Sequence, residues 1–117
     1  MAKRRCFSID LFNSEEFLNL TNDAKSLYLG LLLHTDDEGV VINPRTVMRM
    51  MELADDTMNE LYINGFLIDV DGICIIKHWF FHNKIQPSRM VASLYQAELA
   101  KLYVTQTKEY ALREQCV

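Results

Sequence analysis

Glycine and proline are scarce in this chain, which has four and two of them in 117 residues. Gly30, Gly39, Gly65 and Gly72 stand far apart, so no glycine-rich loop can cradle a phosphate and nucleotide binding is not expected. The three cysteines, Cys6, Cys74 and Cys116, are an odd number at no metal-like spacing. With Cys74 inside an apolar run, the thiols are expected to be buried or inert. No apolar run approaches the ~20 residues that span a bilayer. The basic start leads into Cys6-Phe7-Ser8-Ile9-Asp10 and not into a signal-peptide core, so a cytoplasmic location without membrane contact is expected. Excess positive charge is missing too: the net charge is −4, and any nucleic-acid contact must be local. With half of its residues hydrophobic, the chain can bury a core as one domain.

Catalytic constellations are also lacking. His78 and His82 stand four apart, which suits a metal only on a helix, and this stretch reads as leaving a strand through aromatics. Both are therefore expected to be packing or hydrogen-bonding residues. Asp36, Asp37 and Glu38 precede Gly39 and read as a solvated turn rather than a metal cluster. The chain is expected to be no enzyme and to need no metal and no cofactor.

What is present is a run of boundary signals. Asn13 to Glu16 has capping-box spacing, predicting a short helix that carries Phe17, Leu18 and Leu20 inward. Thr21 caps the clearest helix, with Ala24, Leu27, Tyr28, Leu31 and Leu32 as its apolar stripe. After the acidic turn, Val40-Val41-Ile42 can supply a strand. Asn43-Pro44 opens another helix, with Asn43 as cap and Val47 and Met51 inward. A break at Glu52-Leu53-Ala54 precedes a helix capped by Asp55, with Met58, Leu61 and Tyr62 on one face, closed by Asn64-Gly65. Asp71-Gly72 is a strong type I′ signal, pairing Val70 with Ile73 and Ile68 with Ile75 on one face of a hairpin. Pro87-Ser88 starts a last helix with Val91, Leu94, Tyr95, Leu99 and Leu102 on one side. The expected fold is mainly α with a small antiparallel sheet (α+β): a winged helix-turn-helix over residues 1–104. It has an N-terminal arm at 1–12, an extra C-terminal helix at 87–104, and a frayed tail at 105–117.

Charge is polarised along this outline. Thirteen of the sixteen acids lie from Asp10 to Asp71, and none lies between Gly72 and Ala97, where Lys77, Lys84 and Arg89 are found. Arg45 and Arg49, four apart, share a helix face. Lys3, Arg4 and Arg5 read either as a solvated tail or as a phosphate-binding arm, and Thr57 and Asn59 are the groups on the reading helix suited to base edges. Asp55, Asp56 and Glu60 on that helix, with Asp69 and Asp71 at the wing tip, would repel phosphates and disfavour deep docking in the major groove.

Several segments together carry a resemblance: Met1-Ala2-Lys3-Arg4-Arg5-Cys6-Phe7-Ser8, Asp36-Asp37-Glu38-Gly39, Asn43-Pro44-Arg45 with Met48-Arg49-Met50, and Ile76-Lys77-His78-Trp79 through His82-Asn83-Lys84-Ile85-Gln86. They resemble the N-terminal domain of replisome-organiser proteins, the replication initiators of phages and prophages of Gram-positive bacteria, related in architecture to DnaD-type primosomal proteins. The resemblance extends to about Leu102. It implies a winged helix that helps bring an origin and the helicase-loading machinery together. The family pattern continues into a second region, so the chain is expected to be a fragment or a short relative. A winged helix used for protein contact and self-association, or a transcriptional regulator, is the alternative.

Overall fold

The computed structural model describes residues 6–83 and 92–113. Among these the helices are α1 (Ile9–Phe12), α2 (Glu15–Leu18), α3 (Asn22–Leu33), α4 (Pro44–Met51), α5 (Asp55–Ile63), α6 (Trp79–His82) and α7 (Gln96–Leu99). Strands β1 (Leu67–Val70) and β2 (Ile73–Ile76) form one antiparallel pair, and β3 (Leu102–Val104) and β4 (Tyr110–Leu112) another. The fold is mainly helical with small antiparallel sheets.

The central helix forms as its sequence dictates. The Thr21 hydroxyl accepts the Ala24 N–H, and Ala24, Leu27, Tyr28, Leu31 and Leu32 are all buried. Helix α3 packs on both α4 and α5. Around it Phe17, Leu61, Phe66, Ile75, Ile76 and Trp79 close the core. The hairpin register is also as expected, with Val70 opposite Ile73 and Ile68 opposite Ile75. Asp71 and Gly72 take φ of 51° and 85°, the two positive values a type I′ turn needs. Ile68 and Ile73 are only partly covered, while Leu67 and Ile76 on the opposite face are buried, so both faces of the hairpin base meet core. The stretch at Val40 reaches β2 as a single bridge, Val40 to Ile75, flanked by Val41 N–H to Cys74 O and Ile76 N–H to Gly39 O, each 2.9 Å.

Several boundaries differ from expectation. Ser14, not Asn13, caps α2, accepting the Phe17 N–H at 3.3 Å, because α1 already occupies Ile9–Phe12 and ends on Asn13. Leu18 consequently faces outward. Asn43 sits in the left-handed region and makes no side-chain cap, and Ala54 takes the cap position before α5, leaving Asp55 in the first turn where it favours the helix dipole. Residues 6–12 are no loose arm: the Phe7 ring packs edge-on against Phe12, Phe17 and Tyr28. Of the expected helix over 87–104, the described part from Ala92 onward holds only the single turn α7, since Leu102 to Val104 pair as a strand; residues 84–91 lie outside the described residues. The tail expected from 105 supplies β4, whose Tyr110 N–H bonds Lys77 O at 2.8 Å.

Candidate nucleic-acid interface

Helix α4 turns Val47 and Met48 into the core, and the 3.6-residue period then brings Arg45 and Arg49 together on its open side. Both guanidinium groups are exposed, and among the described residues neither forms an ion pair. Asn59 is exposed on α5, as expected. Thr57 is not: it is buried, because it lies four residues before buried Leu61 and so shares the inward face. That spacing was visible in the sequence, and Thr57 cannot reach a base edge from this position.

Lys77 is half-buried and engaged by an acid. Its Nζ lies 3.6 Å from Glu109 Oε1, and His78 Nε2 lies 3.5 Å from the same oxygen. Lys3, Arg4, Arg5, Lys84 and Arg89 lie outside the described residues.

The acids expected to repel phosphates divide into two groups. Glu60 accepts both the Thr21 N–H and the Thr21 hydroxyl at 2.8 Å, so it serves the start of α3. Asp71 at the hairpin tip is paired with Lys101. Asp55, Asp56 and Asp69 remain exposed.

The acidic turn is no solvated loop. Asp36 Oδ1 accepts the Glu38 and Val40 N–H groups at 2.9 and 3.0 Å, and Asp37 is buried with its carbonyl accepting Trp79 Nε1–H at 3.0 Å. Glu38 Oε2 accepts Ser93 N–H and Gln96 Nε2–H, each at 2.7 Å, and the Glu38 carbonyl accepts the Tyr110 hydroxyl at 2.6 Å. The turn therefore clasps the C-terminal segment onto the helical body. Its partners lie 42 to 72 residues away in sequence, so no local pattern announces them.

His78 and His82 do fall on one helical turn, at the cap and end of α6, contrary to the strand exit expected. His82 is committed to structure: Nδ1 accepts the Ser8 N–H at 2.8 Å, which places the ring proton on Nε2, 2.8 Å from the Tyr28 hydroxyl. Burial, with His78 nearby, lowers the His82 pKa to about 4. Burial likewise lowers that of His78, against the opposing pull of Glu109. Asn83 ties down the same N-terminal stretch, with Oδ1 accepting the Cys6 N–H at 2.8 Å. Burial pushes the Cys74 thiol up to about 11, so it stays protonated, as an inert thiol should.

Comparison with protein-family models, with curated proteins and with solved structures gave no match. No helix among the described residues is long and apolar enough to cross a membrane.

Proposed function

We propose that this chain is a DNA-binding winged-helix module of a cytoplasmic replication initiation protein, holding DNA mainly through phosphate contacts. The observation that carries the reading is the exposed pair Arg45 and Arg49 on α4, free of ion pairs among the described residues. The order α3, bridging segment, α4, α5 and hairpin supports the winged helix. Asp71 is paired with Lys101, which weakens one of the charges that would repel a phosphate backbone, while Glu60 is engaged with Thr21 at the start of α3. The replisome-organiser role, with an origin as target and a helicase loader as partner, rests on the resemblance of the sequence segments alone.

A protein-contact or self-association role is the second reading. It is favoured by Ile63 and Leu94, 83% and 94% exposed. The continuous apolar seam from Val91 to Leu102 does not support it, because Leu102 is buried and Leu99 packs partly against the core.

The test is a titration of duplex DNA at several salt concentrations. Each phosphate neutralised contributes about −0.9 to the slope of log affinity against log salt. Replacing Arg45 and Arg49 together by Ala is expected to reduce that slope by about 2 with stability nearly unchanged, since exposed arginines add little to folding. Unchanged binding by the double variant, or no binding by the parent at low salt, overturns the reading in favour of protein contact.

A further inference from the structure

A cleft of about 350 Å3 opens between α6, α7 and the β3–β4 hairpin, apart from the α4 arginines. Phe80 and Tyr110 give it an aromatic floor, their ring centres 5.4 Å apart and their planes tilted by 58°. The Tyr110 ring is held in place by its hydroxyl bond to the Glu38 carbonyl. Tyr103, on β3, is a more open wall at 39% exposure.

Three polar side chains share the cleft. Gln96 Nε2–H is spent on Glu38 Oε2 and Ser93 O. Among the described residues nothing bonds Glu38 Oε1 or the Gln96 amide oxygen, so the cleft presents two acceptors. Arg113 is anchored by Nε–H to Leu102 O at 3.0 Å, and its terminal nitrogens have no partner among the described residues.

We infer that this cleft takes an unpaired nucleobase bearing an exocyclic amino group, presented by a single-stranded nucleic acid. The inference rests on the DNA-binding reading and extends it to a second, single-strand site. A flat ring finds the exposed Tyr103 ring to stack on, while buried Tyr110 and partly buried Phe80 close the cleft beneath it. The amino group of cytosine, like that of adenine, donates to the Glu38 and Gln96 oxygens, whereas thymine would set its O4 acceptor against them. The Arg113 guanidinium suits a phosphate of the same strand.

The experiment is fluorescence anisotropy of the whole chain with labelled oligodeoxycytidine and oligodeoxythymidine of equal length, beside a duplex, at one low salt concentration. Oligodeoxycytidine is expected to bind about fivefold tighter than oligodeoxythymidine, the effect of one hydrogen bond. Tyr103→Ala is expected to weaken oligodeoxycytidine about tenfold and Tyr103→Phe to restore it, with duplex affinity unchanged. Equal affinity for the two strands, or no effect of Tyr103→Ala, overturns the inference. If duplex binding then still depends on Arg45 and Arg49, the module reading survives without it. Should Tyr103→Ala unfold the hairpin, NMR mapping of cytidine monophosphate on the unaltered protein decides. Shifts at Phe80, Tyr103 and Gln96 support the site, and their absence overturns it.

Discussion

A Cβ placed on Gly39 would lie 2.6 Å from Cγ of Trp79 and 2.7 Å from its Cβ, so the acidic turn and α6 meet where no side chain fits between them. The contact is reinforced from both sides. Asp37 O receives the indole N–H, and Gly39 O accepts from Ile76 N–H on the neighbouring strand. The turn that clasps the C-terminal segment is thereby seated on the largest side chain of the core.

Two glycines separate the effect of backbone strain from that of packing. Gly39 and Gly72 have similar φ, +90° and +85°, but a Cβ on Gly72 would meet nothing within 4 Å. Gly72→Ala is expected to cost the left-handed strain alone, about 1 kcal/mol. Gly39→Ala adds overpacking against a rigid ring, for a total of about 3 kcal/mol or more. Urea unfolding of both variants checks this, and equal losses would show that Trp79 can move aside.

Stability should fall on mild acidification. The folded-state pKa of His82, about 4, lies below the ordinary 6.5, so between those values the unfolded chain takes up a proton that the folded one refuses. The contribution is constant above about pH 6.5 and is lost as pH falls towards 4, by up to about 3 kcal/mol. The depressed pKa of His78 acts in the same direction. Unfolding free energies between pH 4.5 and 7.5 are expected to show this slope, and His82→Gln to flatten most of it. A parent protein with no slope would mean that Ser8 and Tyr28 do not hold the neutral ring.

Leu94 stands almost wholly in solvent, so Leu94→Glu should leave unfolding unchanged within about 0.5 kcal/mol. If the chain associates through this surface, the same substitution reduces its assembly size in sedimentation. A folded protein of unaltered size removes Leu94 from any interface.

Sequence was legible where a single period or a short-range rule decides the outcome. Thr21 and the Ala24 to Leu32 stripe, and Asp71-Gly72 with its register, each follow from residues within one turn of one another. The C-terminal region was not, because the order of Ala92 to Leu112 depends on distant groups: Ser93 and Gln96 are fixed by Glu38, and Tyr110 by Lys77 and Glu38. An apolar spacing of three and four can then yield to a strand. At the candidate interface Arg45 and Arg49 were readable from the helix period, while the diversion of Lys77 to Glu109 depends on a hairpin the sequence did not announce.

The last prediction separates two acids of α5 that charge alone would treat alike. Glu60 bonds Thr21 at both its N–H and its hydroxyl, so Glu60→Gln is expected to cost about 1 kcal/mol of stability, by weakening a charge-assisted cap at the start of α3. Asp56 is exposed in the first turn of α5, and Asp56→Asn should cost no more than a few tenths of a kcal/mol through the helix dipole. On DNA the order is reversed. Neutralising Asp56 removes a negative charge on α5 that would repel phosphates and should tighten duplex binding about two- to threefold at low salt, an effect that fades as the Debye length shortens. Paired unfolding and anisotropy measurements on both variants decide the matter. If Asp56→Asn leaves low-salt affinity unchanged, α5 stands away from the duplex and the phosphate contacts belong to α4 alone.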